Sequence, residues 1–137
     1  MFRYLPRGLK AGAPLVVVLH GCGQTAGGYD LGAGWCQLAG QLGFAVLAPE
    51  QKAVNNPNTC FDWFNPEDIT RGEGEAASIA AMIHTLVETH RLDAARVFIT
   101  GLSAGGAMTA VMLATYPELF AGGAIIAGLP FGAAANV

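Results

Sequence analysis

Residues 97–112 read VFITGLSAGGAMTAVM, an apolar run that meets a glycine-flanked serine and then a segment of small and apolar residues. The run at residues 96–100 is short and contains β-branched side chains, which predicts a buried strand. Residues 104–116 open on glycines, are rich in Ala, Met and Leu, and stop before Pro117, which predicts a buried helix. A strand therefore passes directly into a helix at this point.

Further apolar runs alternate with helical periodicity along the rest of the chain. Residues 15–19 (LVVVL) and 44–48 have the length of buried strands, and residues 123–127 predict a further one. Apolar residues at helical spacing predict helices around residues 35–42, with Gly43 at the C-cap, and over residues 75–90. The order β-α-β-α-β-α-β predicts an α/β domain with a parallel sheet.

The junction between strand and helix carries Gly101-Leu102-Ser103-Ala104-Gly105, a G-x-S-x-G motif. Between a strand and a helix this motif predicts a nucleophile elbow, a strained turn that exposes the serine hydroxyl above the sheet edge. The flanking glycines let neighbouring backbone approach without Cβ clashes. The Ala104 N–H, at the positive end of the helix dipole, is then a candidate oxyanion donor. The alternative is a serine in an ordinary glycine-rich turn.

A second oxyanion donor is expected from the loop that follows an earlier strand. His20-Gly21-Cys22-Gly23-Gln24 follows the LVVVL strand in that place, with the Cys22 N–H as the first candidate and the Gly23 N–H as the second. His20 is expected to shape the loop through hydrogen bonds, because the catalytic base of such a site should follow the serine along the chain.

The residues after Ser103 do not complete a Ser-His-Asp triad. They contain no Asp and no His, and their one acid, Glu118, sits in a helix-ending turn. His84 and His90 fall on the predicted helix before the serine, where surface or helix-end positions are expected. We therefore expect the base and the acid to be absent from these 137 residues.

A long loop is predicted at residues 50–71, which contain two Asn-Pro turn signals and no sustained period. Loops of this length in compact domains are often functional. Three aromatic side chains lie close together in it: Phe61, Trp63 and Phe64. Trp63 either faces a substrate or packs inward, and both interpretations stay open, whereas Phe61 and Phe64 are expected in the core.

Charge and composition exclude several classes of function. Seven Lys and Arg against ten Asp and Glu give a net charge of −3 with no basic run, which argues against a nucleic-acid partner. Glu118 is the only charged side chain in residues 97–137, but glycines and prolines interrupt this stretch. It is therefore expected to be buried core rather than a membrane span.

Three cysteines are too few for a disulfide scaffold, and they lack the CxxC spacing of a zinc site. No metal site is therefore predicted. No cofactor is predicted either. Residues 1–6 lack the charged and apolar regions of a signal peptide. The protein is expected either to be intracellular or to have lost its start.

Several strings resemble the polyhydroxybutyrate depolymerase and feruloyl-esterase-like carboxylesterases of the α/β-hydrolase superfamily. They are PLVVVLHGCGQTA, GFAVLAPEQ, NNPNTCFDWF, RGEGEAASI and VFITGLSAGGAMTAVMLATYPELFAGGAIIAGLP, and together they cover nearly the whole chain. The resemblance implies a three-layer α/β-hydrolase sandwich with a mostly parallel sheet. Residues 1–137 would form the N-terminal and central part of this single domain, without the C-terminal strands.

The same resemblance implies the chemistry of the site. Ser103 matches the family nucleophile, and the Cys22 loop with Ala104 matches its oxyanion hole. Cys22 and Cys60 match cysteines within two family strings, HGC and NxxCFxWF, which implies a disulfide between them and leaves Cys36 unpaired. Gly23 and Trp63 are candidate substrate contacts. Secretion or a periplasmic location is implied as well.

The sequence thus predicts a serine carboxylic ester hydrolase that needs no cofactor and acts on a polyester, feruloyl or acetyl ester. The 137 residues alone are expected to be weakly active or inactive and to expose apolar surface. Two alternatives stay open: an inactive hydrolase fragment or binding module, and a peptidase, thioesterase or lipase on the same scaffold.

Overall fold

The computed structural model describes residues 1–134, in which five strands form one sheet. The strands are β1 (Phe2–Tyr4), β2 (Leu15–Leu19), β3 (Ala45–Ala48), β4 (Val97–Leu102) and β5 (Gly122–Ile126). The helices are α1 (Ala26–Ala33), α2 (Trp35–Leu42), α3 (Pro66–Ile69), α4 (Gly74–His90) and α5 (Ala104–Thr115), followed by a short 3₁₀ helix at Pro117–Leu119.

The sheet has the order β1-β3-β2-β4-β5, and all its neighbouring strands are parallel except the β1–β3 pair. Strand β2 lies at the centre, paired with β3 on one side and β4 on the other. In the β2–β4 register Leu15 is opposite Val97 and Leu19 is opposite Gly101. The carboxyl ends of these two strands therefore meet at one edge of the sheet, where α/β proteins bind ligands.

Helices cover the two faces of the sheet and make three layers. On one face, the larger core joins alternate residues of β2, β3 and β4 to apolar side chains of α4 and α5, such as Ile83 and Met108. On the other face, Val18 and Val46 pack with Ala39 of α2 and with the partly buried Trp35. The expected three-layer sandwich with a mostly parallel sheet is confirmed.

Three elements were not predicted from the sequence. Strand β1 is only three residues long and partly polar, so it shows no usable alternation. Helix α1 contains three glycines and exposes Leu31, and it depends on its caps instead of an apolar stripe. The Thr25 hydroxyl accepts from the Gly28 N–H at its start, and Gly34 ends it in the left-handed conformation. Helix α3 interrupts the loop predicted at residues 50–71.

An apolar surface is exposed along β5, which forms one edge of the sheet within residues 1–134. Ile125 and Ile126 are each nearly half exposed, and Phe98 on β4 and Leu129 after β5 are also exposed. Exposed apolar surface was expected from the sequence, but the expectation that the whole stretch from residue 97 is buried core was wrong: most of residues 97–112 are buried, whereas residues 121–134 are exposed or partly exposed, because within the described residues no element covers β5 at the sheet edge. Within the described residues, no helix has the length and apolar character that crossing a membrane requires.

Candidate active site

Ser103 occupies the turn between β4 and α5. Its backbone has φ 56° and ψ −118°, a conformation that costs energy for any residue with a Cβ. Its N–H donates to the carbonyl of Ile126 at 3.0 Å, and its own carbonyl accepts from the Ala107 N–H at 2.9 Å. Ser103 is exposed, whereas Gly101 before it and Ala104 after it are buried. The turn therefore presents the serine to solvent from a rigid base.

Glycine is required on both sides of this turn by close backbone contacts. A Cβ on Gly101 would lie 2.3 Å from the carbonyl oxygen of Gly105. A Cβ on Gly105 would in turn lie 2.2 Å from the carbonyl oxygen of Leu19, at the end of β2. The start of α5 is thus seated directly on the end of β2, and this contact brings Ser103 to the loop that follows β2.

The loop at residues 20–24, named here the Cys22 loop, lies beside Ser103. A Cβ on Gly21 would be 3.5 Å from the Ser103 Cβ. The Gly23 N–H donates to the Asn58 carbonyl at 2.8 Å and to the Thr59 hydroxyl at 3.1 Å. Within residues 1–134 the Cys22 N–H has no acceptor. Of the two donors that the sequence suggested in this loop, Cys22 therefore has the available N–H group.

The N–H of Ala104 is the corresponding group on the other side of the serine. Ala104 is the first residue of α5, and the first N–H groups of a helix have no acceptor within it. No other part of residues 1–134 accepts a hydrogen bond from it. Two free backbone donors, those of Cys22 and Ala104, therefore belong to residues that border the same cleft as Ser103.

This cleft has a volume of about 400 Å³. Its lining residues are Cys22, Asn56, Asn58, Cys60, Trp63, Phe64, Ser103, Ala104, Ala107, Ala127, Gly128 and Leu129. Gly23, suggested by the sequence as a substrate contact, is outside this set and borders a separate shallow depression on the surface. The wall opposite the serine turn is formed by the segment at residues 56–64, named here the aromatic loop.

The three aromatic side chains of the aromatic loop have different environments. Phe61 is buried, as expected, with its ring centroid 5.0 Å from that of His20. Trp63 and Phe64 pack edge to face at a centroid distance of 5.6 Å, and both line the cleft. The expectation that Phe64 lies in the core was wrong, because its side chain is only partly buried, lines the cleft and belongs to neither core cluster. Trp63 lines the cleft and also packs against the core.

A disulfide bond joins Cys22 to Cys60, and so connects the Cys22 loop to the aromatic loop across 38 residues of chain. This is the pair that the family resemblance implied, and Cys36 is the free cysteine. Burial, with the neighbouring Asp30 carboxylate, raises the pKa of the Cys36 thiol to about 12.

His20 is fully buried, and both its ring nitrogens are engaged. Its Nδ1 donates to the Gly21 carbonyl at 2.7 Å, and its Nε2 accepts from the Gln51 N–H at 3.1 Å. His84 is exposed on α4, and His90 ends that helix. No histidine within residues 1–134 lines the cleft. His20 therefore has the structural role expected of it.

Glu118 is also placed away from Ser103. Its carboxylate forms a salt bridge of 2.5 Å with Arg71, whose other Nη donates to the Thr115 carbonyl at 2.7 Å. The Arg71 guanidinium lowers the pKa of the Glu118 carboxyl below its usual value. Glu118 does not border the cleft that Ser103 faces.

A group of three carboxylates, which no local sequence pattern marks, joins the aromatic loop to α3 and α4. One carboxylate oxygen from each of Asp62, Asp68 and Glu75 lies within 4.8 Å of the other two. Within residues 1–134 this is the only group of three such side chains with the spacing of metal ligands. Each carboxylate accepts hydrogen bonds from amide groups of the protein. Burial, reinforced by the two neighbouring carboxylates, raises the pKa of Glu75 to about 8, although amide donors oppose the shift.

The sheet order, the three layers and the serine turn are those of the α/β-hydrolase class. Residues 2–137 match the family described as Esterase PHB depolymerase, so the chain belongs to that family. The resemblance proposed from the sequence is thereby confirmed.

The relatives include a poly(3-hydroxyalkanoate) depolymerase and acetylxylan esterases. The chain is 52% identical over its whole length to poly(3-hydroxyalkanoate) depolymerase C of Paucimonas lemoignei, of which it spans 33%. It is 39% identical over 94% of its length to acetylxylan esterase A of Emericella nidulans, of which it spans 42%. It superposes on an acetyl xylan esterase from Aspergillus awamori with TM-score 0.84 and 34% identity, over 95% of this chain and 47% of that one. The chain thus spans between about a third and a half of these relatives.

Proposed function

We propose that the protein containing this chain is a serine carboxylic ester hydrolase and that Ser103 is its nucleophile. The observation that carries the proposal is the exposed Ser103 in a strained backbone conformation with positive φ, bordering a cleft with the free N–H groups of Cys22 and Ala104. Strain of this kind is found where a functional group must be held in one position. The relatives' names denote depolymerisation of a polyester and deacetylation of xylan, which are both ester hydrolysis and support the same reaction.

The reaction begins when the Ser103 oxygen attacks the ester carbonyl carbon and its proton passes to a general base. The carbonyl π electrons move to oxygen, and the N–H groups of Cys22 and Ala104 donate to the resulting oxyanion. Collapse of this intermediate breaks the ester bond, and the alcohol leaves with the proton from the base. Water then attacks the acyl-enzyme while the general base takes a proton from it. When the second intermediate collapses, the carboxylic acid product leaves and the base returns the proton to the Ser103 oxygen.

The general base and the acid that orients it are proposed to lie outside these 137 residues. The engagement of both His20 nitrogens and the position of Glu118 at Arg71 support this assignment. We propose accordingly that residues 1–137 are the N-terminal and central part of a single α/β-hydrolase domain. The share of the relatives that the chain spans supports this as well.

The aromatic loop supports an acyl or aryl group as the part of the substrate that enters the cleft. Trp63 and Phe64 form an apolar wall, and Leu129 and Ala107 add to it, while Asn56 and Asn58 supply polar groups. We propose that Trp63 contacts the substrate. A polyester, an acetylated polysaccharide and a feruloyl ester are the substrate classes to compare.

An oxidising compartment, outside the cell or in the periplasm, is the proposed site of action. The Cys22–Cys60 disulfide supports this location, because such bonds persist mainly in oxidising environments.

The test is hydrolysis of a chromogenic short-chain ester by the complete gene product. We expect Ser103→Ala to reduce kcat by about 10⁴-fold or more, whereas Ser78→Ala, which alters the only other serine among residues 1–137, should leave it unchanged. A stoichiometric phosphonate label should attach to Ser103 and be absent from the variant. Hydrolysis that survives Ser103→Ala overturns the assignment, and a preference for amides or thioesters favours the other hydrolase classes.

The 137-residue chain provides a second arm of this test. We expect it to hydrolyse the ester slowly, because Ser103 lacks its base. Rapid turnover that is lost in Ser103→Ala would instead place the base among His20, His84 and His90.

A further inference from the structure

Glu75 is a partly buried acid that the proposed reaction does not use. It lies in the first turn of α4, behind the aromatic loop and away from the cleft lining. Both of its carboxyl oxygens accept hydrogen bonds, one from the Gln51 side chain and the other from the Asp62 N–H. These two partners lead to different parts of the candidate active site.

The first branch runs from Glu75 to the Cys22 loop. Gln51 is buried, and while its side chain donates to Glu75 its backbone N–H donates to His20 Nε2 at 3.1 Å. The opposite ring nitrogen of His20 donates to the Gly21 carbonyl at 2.7 Å. The Gly21 carbonyl and the Cys22 N–H belong to one peptide group, so this branch holds the peptide group that carries the candidate oxyanion donor.

The second branch runs from Glu75 to the aromatic loop. The Asp62 N–H donates to Glu75 at 2.9 Å, and the Asp62 carboxylate accepts from the Asn56 side chain at 2.7 Å. The Asn56 side-chain oxygen then accepts from the N–H groups of Asn58 and Cys60. This branch thus fixes the loop on both sides of Cys60, next to Trp63.

The two branches meet at the Cys22–Cys60 disulfide, so that hydrogen bonds and covalent bonds together make a closed ring through Glu75. We propose that Glu75 is a positioning residue that fixes the Cys22 loop and the aromatic loop relative to each other at the cleft. The inference rests on the proposed function, because it assigns to Glu75 the placement of the Cys22 N–H at the oxyanion. Such a donor must be held within about 0.5 Å of its productive position.

Removal of the Glu75 side chain should therefore weaken the stabilisation of the transition state more than the binding of substrate. In the complete protein, we expect Glu75→Ala to lower kcat for a short-chain ester by about tenfold while KM changes by less than about twofold. Glu75→Gln should lose less activity than Glu75→Ala, because the glutamine oxygen can still accept from one of the two donors, whereas its NH2 group would face the other donor. The matched control is Glu88→Ala, an exposed acid on the same helix, which should behave like the wild type.

Folding is checked separately, by circular dichroism and by assay well below the melting temperature of each variant. If Glu75→Ala does not fold, Glu75→Asp is used in its place, because its shorter carboxylate cannot reach both partners. We then expect an intermediate loss of kcat. Wild-type kcat in the folded Ala or Asp variant, or an equal loss in Glu75→Gln and Glu75→Ala, overturns the inference.

A readout without catalysis separates this inference from the proposed function. In the complete protein, dithiothreitol should reduce the Cys22–Cys60 bond several times faster in Glu75→Ala than in the wild type or in Glu88→Ala. Equal reduction rates overturn the role of Glu75 even if Ser103 is the nucleophile. Absence of Ser103-dependent hydrolysis in the wild-type complete protein overturns the proposed function, whatever the reduction rates are.

Discussion

Gly105 in helix α5 packs so closely on Leu19 at the end of strand β2 that a Cβ on the glycine would lie 2.2 Å from the Leu19 carbonyl oxygen. The atoms nearest to such a Cβ are all backbone atoms, so no side-chain rotation could relieve the clash. Because Ser103 immediately precedes α5 and the Cys22 loop continues β2, this contact determines how far the serine lies from the loop.

We expect Gly105→Ala to lower the free energy of unfolding by about 3 kcal/mol, because the added methyl group forces α5 away from β2. Gly27→Ala is the matched control: it also alters a helical glycine, but a Cβ there has no neighbour within 4 Å. It should be neutral or stabilising by up to about 1 kcal/mol. Urea unfolding of both variants measures the difference, and equal effects would contradict the contact.

The three cysteines give a direct chemical prediction. In denaturant without reductant, a thiol reagent should titrate one group per chain, Cys36, and after reduction it should titrate three. In the folded protein at pH 8, Cys36 should react slowly, because its pKa of about 12 leaves little thiolate. Peptide mapping should find Cys22 linked to Cys60, and three titratable thiols before reduction would exclude the disulfide.

The salt bridge between Arg71 and Glu118 is a surface interaction, since the two side chains are 56% and 52% exposed. We expect Glu118→Gln to leave the free energy of unfolding nearly unchanged, because solvent screens such exposed pairs. Ester hydrolysis by the complete protein should not change, since Glu118 does not border the cleft. A large loss of kcat would instead identify Glu118 as the acid of the triad.

Local sequence predicted the centre of this fold well, because the buried elements carry strong patterns. LVVVL at Leu15–Leu19 and the apolar face of α4 need no tertiary information to be assigned. The serine turn was predicted for a similar reason, since its strained backbone demands glycines at fixed positions. Strand β1 and helix α1 were missed because pairing with β3 and end-capping, rather than periodicity, stabilise them.

The hydrogen-bond network around Glu75 could not be predicted in the same way. Gln51, Asp62 and Glu75 are far apart in the chain, and each is an ordinary polar residue in its local context. They form a network only because the sheet and α4 bring them together. The same applies to Gly23: its neighbours along the chain do not reveal that Asn58 and Thr59 occupy its N–H.

Glu75 also makes the stability of the protein depend on pH in a defined direction. Its pKa in the folded protein is about 8, against an ordinary value of 4.5, so the folded state holds a proton that the unfolded chain has lost between these values. Asp93 and Glu118 have lowered pKa values, because Arg96 and Arg71 donate to them. Their stabilising contributions are lost only as the pH falls below their ordinary values, outside the range in which Glu75 acts.

The free energy of unfolding is therefore expected to contain a contribution from Glu75 that decreases from about pH 4.5 to about pH 8 and is constant above that. Glu75→Gln removes the titrating group, so its urea midpoint should decline less between pH 5 and pH 8 than that of the wild type. Glu88→Gln, an exposed acid on the same helix, should keep the wild-type slope. If Glu75→Gln keeps that slope too, Glu75 titrates near its ordinary pKa and burial does not hold its proton.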